Sequence, residues 1–452
     1  MSIPVIPLGE AVQPTRPRKK PTDCPDLPFI GMEHVEAHTM KLLGTVPAGT
    51  MKSSAVHFKP GDVLYGRLRP YLNKIYRPNF EGLCSAEFIV LPENVRVDGS
   101  YLQYFLNSAA FVRYASHLNA GDRPRVDFDQ LAPYGIPLPE KQEQRLAVAE
   151  IEKQFSRLDE AVAGLQRVKA NLKRYKASVL KAAVEGRLVP TEAELARREG
   201  RPYETGAELL LRILAGRRSR WQGKGRYKEP AYLDTGKFPS LPDGWSWASI
   251  DQVLGMLRNG LSQKPCDSAP GVPILRISSV RPLSLDVSDH RYLRLEGTGN
   301  FPEYLIRPDD LLFVRYNGTK ELVGACAHVE RVEEQTLYPD KLIRGRVVST
   351  ALVEPKYVAL AANVGWSRKH VDDLIKTTAG QQGISGSEIK QMPFPLPPLP
   401  EQHRIVAEVD RRLSIAREVE AEVETNLRRA QALRQSVLAK AFRSPVSEES
   451  PA

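Results

Sequence analysis

The sequence predicts an α+β fold in which two mixed α/β domains are separated by two long helices that form an antiparallel coiled coil with pseudo-twofold symmetry. Three observations predict this fold class. A segment with the sequence pattern of a helix occurs twice in the chain. Each copy carries a heptad pattern of apolar residues, which needs a partner helix. A looser duplication of strand-like and turn-like segments comes ahead of each copy.

The duplicated segment occupies residues 137–184 and 395–442, which match at a constant offset without a gap. The motif Pro-Leu-Pro-(x)3-Glu-Gln opens the copies at Pro137 and Pro395, and Ser-Val-Leu-(x)2-Ala stands near their ends. Solenoid repeats have periods of roughly 20–50 residues. Because this repeat is far more distant, it indicates two copies of one module, each of which ends in a long helix.

Apolar residues follow the heptad spacing in both copies. They are Ile151, Phe155, Leu158, Val162, Leu165, Val168, Leu172, Tyr175 and Val179 in the first copy, and Val409, Leu413, Ala416, Val419, Val423, Leu427, Ala430, Leu433 and Val437 in the second. Helices of this length are uncommon in globular domains. We therefore expect the copies to pair with each other, antiparallel because the long intervening segment can return the chain. The alternative is that each helix packs only on its own domain.

The segments ahead of the helices are duplicated more loosely. Residues 60–67 correspond to residues 308–315, and each segment has the pattern of a turn followed by a buried strand. Residues 28–32 correspond to residues 273–277, again with the pattern of a strand. These domains differ far more than the helices do, which indicates one scaffold with two different sets of binding loops.

Basic, amide and aromatic residues in those loops are candidates for contact with DNA. In the major groove Arg pairs with guanine and Asn or Gln pairs with adenine, while Lys neutralises phosphate. The candidates are Arg67, Arg69, Tyr71, Asn73, Lys74, Arg123 and Arg125 in the first domain, and Arg276, Arg315, Tyr316, Asn317, Lys320, Gln381 and Gln382 in the second. The alternative for each is an ordinary solvated or capping side chain.

Composition and missing motifs exclude several classes of protein. The net charge of +10 favours a polyanionic partner, and the 4 Cys are scattered without metal-ligand spacing, as expected in a reducing cytoplasm. No apolar run approaches the roughly 18 residues that span a bilayer. The sequence contains no G-x-x-x-x-G-K-[ST] loop, no G-x-S-x-G elbow and no Asp/Asn-Pro-Pro-Tyr/Phe tetrapeptide. We therefore expect a cytoplasmic, non-catalytic protein without a metal site.

The order of the motifs resembles the specificity subunits of type I restriction-modification systems. The two copies of the helix motif carry this resemblance, together with four segments between them. Residues 186–190, 207–214 and 217–221 are similar to the family's central region, and residues 241–245 are similar to the usual start of a recognition domain. The first domain departs from the family because it lacks the Leu-Pro-x-Gly-Trp start.

The resemblance implies a division of the chain into recognition domains and helices. The target recognition domains are 1–136 and 241–394, the long helices are 137–188 and 395–444, and a central region with a short helix is 189–240. Residues 445–452 are expected to form a disordered tail. The family implies no cofactor in this chain. A member of this family is expected to bind double-stranded DNA and two modification subunits, which carry S-adenosylmethionine. Two restriction subunits, which use ATP and Mg, can join the complex.

The helices are the expected docking platform for those partners, because they kept their sequence while the domains diverged. Acidic and amide residues recur on them as Glu143, Gln144 and Glu150, and as Glu401, Gln402 and Glu408. The alternative is helix capping, since acidic side chains favour the amino end of a helix. The leading function is a DNA-recognition subunit that directs adenine methylation by its partners at a bipartite target. The alternative is a DNA-binding coiled-coil adaptor for another phage-defence effector.

Overall fold

The computed structural model describes residues 3–223, 225–294, 301–378 and 381–443. The expected disordered tail at 445–452 lies outside these ranges. The chain divides into two compact units. Unit 1 contains Met1–Lys169 with Ala421–Ala452, and unit 2 contains Ala170–Glu420. Both long helices cross this division, so each unit holds one globular part and a portion of each helix.

Unit 1 is built on short strands with small helices beside them. Its strands are β1 (Val5–Pro7), β2 (Arg18–Lys19), β3 (Pro28–Ile30), β4 (Val46–Pro47), β5 (Ala55–Phe58), β6 (Val63–Gly66), β7 (Ile75–Tyr76), β8 (Gly82–Cys84), β9 (Phe88–Leu91) and β10 (Gly135–Pro137). Its short α-helices are α1 (Leu8–Ala11), α2 (Gly99–Leu106), α3 (Ala109–His117) and α4 (Phe128–Leu131). The sheets have the orders β2-β5-β8-β3-β4, β7-β6-β9 and β1-β10. The long helix α5 (Lys141–Val184) follows β10.

Unit 2 repeats this plan with other loops. Its strands are β11 (Ser246–Ser249), β12 (Leu254–Asn259), β13 (Val272–Leu275), β14 (Val280–Arg281), β15 (Ser284–Leu285), β16 (His290–Leu293), β17 (Asp310–Val314), β18 (Tyr316–Asn317), β19 (Cys326–His328), β20 (Leu342–Val347), β21 (Lys376–Thr378), β22 (Gln381–Gly383) and β23 (Pro393–Leu396). Its helices are α6 (Glu192–Glu199), α7 (Gly206–Ser219), α8 (Ile250–Val253), α9 (Pro355–Asn363), α10 (Gly365–Leu374), α11 (Gly386–Lys390) and the start of α12 (Leu399–Ala441). The sheets have the orders β12-β20-β17-β19, β18-β22-β21, β13-β16, β14-β15 and β11-β23.

The strands predicted from the duplication are present in both units. β6 and β17 start just after the predicted turns, and both are fully buried. β1 pairs with β10 in unit 1 as β11 pairs with β23 in unit 2. Unit 1 therefore forms this strand pair although it lacks the Leu-Pro-x-Gly-Trp sequence. The helices α2, α3 and α4 correspond in order to α9, α10 and α11.

The long helix α5 ends at a glycine. Gly186 has a φ of +67°, and the N–H of Arg187 donates to the carbonyl of Ala182 at 2.9 Å. A left-handed glycine just beyond the last turn is a common way to end a helix, because it lets the chain turn back onto free carbonyls. Pro242 packs against Gly186, where an added Cβ would lie 2.5 Å from its Cγ. This position therefore requires glycine for both conformation and space.

In unit 1 the two long helices pack side by side in opposite directions. Ile151 and Phe155 of α5 are buried in one cluster with Leu438 of α12. Further along α5, Asp159 pairs with Arg434 at 2.8 Å and Lys169 pairs with Glu424 at 3.0 Å. Residues further along α5 therefore contact residues earlier in α12, which confirms the antiparallel pairing.

In unit 2 the equivalent positions of the repeat meet. Val409 of α12 is buried in the core cluster of unit 2, against which Leu413 of α12 and Leu180 of α5 also pack. These are the equivalents of Ile151, Phe155 and Leu438 in unit 1. Lys176 pairs with Glu420 at 2.7 Å. Equivalent positions of the repeat therefore lie in the hydrophobic cluster of each unit.

The predicted seam is not buried along its whole length. Tyr175 and Leu433 occupy equivalent positions of the two copies and are 41% and 51% exposed. Two helices cover each other on one side only, so seam residues at the margin of the contact stay open to a further partner.

Each unit fastens its long helix to its globular part with the same buried hydrogen bonds. The hydroxyl of Tyr101 donates to the carbonyl of Pro137 at 2.7 Å, and that of Tyr357 donates to Pro395 at 2.8 Å. The side-chain carbonyl of Gln144 accepts from the N–H of Asp98 at 2.9 Å, and that of Gln402 accepts from the N–H of Glu354 at 3.0 Å. The repeated motif therefore encodes the joint between each globular part and its helix.

Candidate nucleic-acid interface

A short pair of extended segments follows the buried central strand in each unit. In unit 1, Val126 N–H donates to the carbonyl of Arg67 at 3.0 Å, and Arg69 N–H donates to the carbonyl of Pro124 at 2.7 Å. In unit 2, Ile384 N–H donates to the carbonyl of Arg315 at 2.9 Å. We call this pair of segments the reading hairpin, although its two segments are distant in the chain and no turn joins them: residues 67–69 with 124–126 in unit 1, and 315–317 with 382–384 in unit 2. The two hairpins occupy the same place in the fold.

Two of the predicted arginines in unit 1 are held by carboxylates. Arg67 forms an ion pair with Asp127, and Arg125 pairs with Glu87 at 2.5 Å. The backbone of Glu87 also accepts the N–H of Arg67, at 2.9 Å. These pairs neutralise both guanidinium groups in the free chain and fix them beside the reading hairpin.

Arg69 and Asn73 are the candidates in unit 1 with a left-handed backbone among the described residues, and Arg69 lies in the reading hairpin. The φ of Arg69 is +53° immediately before Pro70, a conformation that costs a non-glycine residue about 1–2 kcal/mol. Within the described residues, its Nε atom is buried without a hydrogen-bond partner. Strained residues of this kind cluster at ligand sites. Arg123 and Tyr71 are exposed nearby in sequence, Tyr71 at 45%.

Asn73 and Lys74 are held inside unit 1. Asn73 is only 2% exposed, and its amide donates to the side-chain carbonyl of Asn107 at 2.5 Å. The ammonium of Lys74 donates to the carbonyl of Met32 at 2.7 Å. Asn73 is buried, although its Oδ1 has no partner among the described residues, and the ammonium of Lys74 is bound within the protein. We therefore do not carry the two residues into the proposed interface.

In unit 2 an arginine and a tyrosine are stacked at the reading hairpin. The guanidinium carbon of Arg315 lies 4.8 Å from the centre of the Tyr316 ring. The ring lies across Gly383, where an added Cβ would come within 2.3 Å of its Cδ1. Glycine at 383 therefore leaves room for the stack, and a cation over an aromatic face stabilises it.

Asn317 and Gln382 face each other across the same hairpin. They are directly opposed partners in the antiparallel pairing of β18 and β22. The side-chain carbonyl of Asn317 accepts from Thr319 N–H at 2.9 Å. Gln381 lies in β22, but its side chain falls outside the part of the chain that the structure describes.

The remaining predicted residues of unit 2 lie at the sides of this hairpin. Lys320 is exposed at the start of the short helix after β18. Arg276 lies at the end of β13 and faces Asp289 at 3.6 Å. The structure thus brings Arg315, Tyr316, Asn317 and Gln382 together, and it leaves Arg276 just beyond β13, a strand of a different sheet.

The predicted helix-face residues fall into an exposed set and a buried set. Glu143 and Glu150 are exposed, and Glu408 is half-buried. Arg411 and Arg412 bond to the carboxylate of Glu408 and lower its pKa to about 2. Gln144, Glu401 and Gln402 have no exposed surface. These three serve the joints inside each unit and leave no surface for a partner.

Glu401 is a buried carboxyl in unit 2. It accepts hydrogen bonds from the N–H of Glu192 at 2.8 Å and from the indole N–H of Trp245 at 3.0 Å. Burial raises its pKa to about 7, because removal from water disfavours the charged form. Its equivalent in the first copy is the exposed Glu143. The same residue type therefore has different roles in the two copies.

Neither a metal centre nor a membrane span is found in the described ranges. No group of three His, Cys, Asp or Glu side chains there could hold a metal ion. In the same part of the chain, no helix combines the length and the apolar character needed to cross a bilayer.

Sequence reasoning missed the residues that hold the interface in place. Glu87 and Asp127 pair with arginines, and Tyr101 and Tyr357 fasten the helix joints. The matching tyrosines before the two copies of the repeat were a signal for the joints. No sequence signal identifies Glu87, because its partner Arg125 is distant in the chain.

The chain resembles curated specificity subunits over most of its length. It is 32% identical over 366 residues to the EcoKI specificity subunit of Escherichia coli K12, covering 80% of this chain and 68% of that protein. It is 26% identical over 375 residues to the StySPI specificity subunit of Salmonella potsdam, covering 82% of this chain and 70% of that protein. No protein-family model matches the chain.

A solved structure supports the fold. A chain described in work on complex assembly and conformational transition of the type I R-M system superposes with a TM-score of 0.66 over 98% of both chains, at 19% sequence identity. The protein therefore belongs to the family of type I restriction enzyme specificity subunits, which recognise the target and are not the catalytic subunits.

Proposed function

We propose that each unit reads one half of a bipartite target on double-stranded DNA and that the chain thereby directs adenine methylation by partner subunits. The observation that carries this proposal is the pair of equivalent reading hairpins. Their backbone hydrogen bonds correspond, yet one presents Arg69 and Arg125 where the other presents Asn317 and Gly383. One frame with two different sets of side chains is what two different half-sites require.

The residues at both hairpins suit contact with base edges and phosphates. Arginine pairs with the two acceptors of guanine, and amide side chains pair with the donor and acceptor of adenine. Lys320 is available to neutralise phosphate. The net charge of +10 supports association with a polyanion.

The methylation chemistry belongs to the partners in this proposal. Two modification subunits would supply S-adenosylmethionine, and complexes that also cleave DNA would add two restriction subunits with ATP and Mg. Among the described residues no cluster suits a metal ion, and the protein's own part is to position the partners over the target.

Two equivalent helix surfaces support a stoichiometry of two modification subunits per chain. Tyr175 and Leu433 are exposed at the same position of each copy. Glu150 and Glu408 likewise recur at one position and remain accessible. Unit 1 contains Glu150 with Leu433, and unit 2 contains Glu408 with Tyr175. A partner that recognises an apolar residue and a carboxylate would therefore find both once in each unit.

Reversing the charge of Glu150 and Glu408 together, with lysine at both positions, is expected to weaken partner assembly by about tenfold or more, equal to about 1.4 kcal/mol. A lysine would repel basic groups of a partner that approach these positions, and at 408 it would also break the bonds of Glu408 with Arg411 and Arg412. Native mass spectrometry of the co-expressed complex would measure the loss.

The matched control is the double variant Glu160→Lys and Glu418→Lys. These exposed glutamates are also equivalent in the two copies, and ten residues place them roughly 80° around the helix. We expect the control to assemble normally. Undiminished assembly of the Glu150 and Glu408 variant, or one partner per wild-type chain, would contradict the docking proposal.

The recognition proposal itself is tested by long-read mapping of methylated adenines in a host with and without this chain. We expect one bipartite motif to lose methylation when the chain is absent and to regain it on complementation. A methylation pattern that does not depend on the chain would refute the proposed function.

A further inference from the structure

The strands β18 and β22 place two amide side chains next to each other in unit 2. Asn317 and Gln382 are directly opposed in an antiparallel pair. Directly opposed residues project from the same face of a sheet, with Cβ atoms about 4.5–5.5 Å apart. Each amide has an acceptor oxygen and a donor NH2 group. The hairpin therefore presents donors and acceptors side by side on one face.

The hydrogen-bonding capacity of this amide pair is not used up within the described residues. The Oδ1 atom of Asn317 accepts one bond, from Thr319 N–H, and a carbonyl oxygen has two lone pairs. The Oε1 atom of Gln382 is buried without a partner among those residues. A buried acceptor without a partner costs about 1–3 kcal/mol. If the side chain of Gln382 rotates toward a ligand that has a hydrogen-bond donor, its Oε1 atom gains a partner and that cost is removed.

The neighbouring residues of the hairpin hold its backbone in place. The Tyr316 ring lies across Gly383, and the guanidinium of Arg315 stacks on it at 4.8 Å. The N–H of Arg315 donates to the carbonyl of Lys341 at 2.8 Å. The strands are therefore held on the side of the amide pair where Arg315 and Gly383 lie, and a held pair discriminates between bases better than a mobile one.

The equivalent hairpin in unit 1 carries different chemistry at the corresponding positions. The backbone bonds equate Asn317 with Arg69 and Gln382 with Pro124. Unit 1 thus presents a guanidinium, which only donates, where unit 2 presents amides that donate and accept. Position 317 and its opposite residue are where the two units differ in what they could read.

We propose that Asn317 and Gln382 together read one A·T pair through the major-groove edge of its adenine. This inference rests on the proposed function of unit 2 and names its specificity-determining residues. Adenine offers an N6 donor and an N7 acceptor, which complement the oxygen and the NH2 group of an amide. Guanine offers two acceptors at the same edge, so the unpartnered oxygen of Gln382 would face another acceptor.

The test uses the full chain co-expressed with its modification subunits and long-read mapping of methylated adenines. Gln382→Met keeps the length of the side chain and removes both polar groups. We expect it to relax one position of one half-site, with the preference for A over G there falling about 5- to 150-fold, as expected for one bidentate contact. Gln382→Glu removes the donor, and we expect it to move the preference at that position toward C, whose N4 group donates.

The matched control is Gln335→Ala, an exposed glutamine of the same unit, which should leave every position unchanged. An unchanged motif in both Gln382 variants would overturn the inference, while the chain-dependent motif of the wild type would still support the proposed function. Loss of methylation at all sites in both variants, despite normal partner assembly, would also overturn it. In that case Gln382 would maintain the hairpin as a whole instead of reading one base.

Discussion

Unfolding of unit 2 in urea is expected to become easier as the pH rises from about 5 to about 8. Burial raises the pKa of Glu401 to about 7 from an ordinary value of 4.5. The folded chain therefore holds a proton that the unfolded chain releases in this window. The stability from protonated Glu401 is complete below pH 4.5 and is lost as the pH rises through about 7, by up to about 1.4 kcal/mol per pH unit.

Tryptophan fluorescence reports the unfolding of unit 2 selectively, because that unit contains all 4 Trp of the chain: Trp221, Trp245, Trp247 and Trp366. Other groups also titrate, so the informative quantity is the difference between the wild type and Glu401→Gln. We expect the wild type to be the more stable at pH 5 and the difference to shrink or reverse by about pH 8. Glu143→Gln, at the equivalent exposed position, should parallel the wild type. Parallel curves for wild type and Glu401→Gln would show that the buried carboxyl does not control this stability.

Gln402→Ala is expected to lower the free energy of unfolding of unit 2 by about 2–5 kcal/mol. It would leave the N–H of Glu354 and the carbonyl of Pro397, now bonded at 3.0 and 2.9 Å, without partners. Each buried group left unsatisfied costs about 1–3 kcal/mol. The measurement is the urea midpoint of tryptophan emission.

Gln144→Ala makes the same change in unit 1, where the amide also bonds Pro139 and Arg96 at 2.8 Å. Because that unit contains none of the 4 Trp, its loss of stability should be followed by circular dichroism at a helix wavelength. The neighbouring exposed Gln142→Ala is the control and should change stability by less than about 0.5 kcal/mol. A negligible effect of Gln402→Ala would mean that the repeated motif does not form the joint.

The architecture could be predicted from the sequence because the heptad spacing of apolar residues and the Pro-Leu-Pro motif both occur twice. Both signals are local, and both helices form where the heptads predicted them. The recurring Glu-Gln pair was interpreted as a partner surface, but Gln144, Glu401 and Gln402 are buried. A polar residue at the start of a helix can cap the helix, bond it to the rest of its own unit, or bind a partner protein. One sequence does not distinguish these three roles.

The details of the reading hairpins depend on tertiary contacts that the sequence does not display. Arg67 and Arg125 are candidates for contact with DNA by sequence, and the structure pairs them with Asp127 and Glu87. Asn73 looked like a loop residue and is buried against Asn107. The opposition of Asn317 and Gln382 brings together residues far apart in the chain, so only the strand pairing shows that they form one surface.

The most direct measurement of the claim that each unit reads one half-site is methylation mapping after residues 1–136 are replaced by the corresponding part of a related specificity subunit. Both long helices and Gln144 stay in this chimaera, and the donor protein supplies the other half of the joint in place of Asp98 and Tyr101, so partners should assemble as before. We predict a motif in which one half-site takes the sequence of the donor protein and the other is unchanged. A motif changed in both half-sites, or in neither, would contradict the assignment of one half-site to each unit.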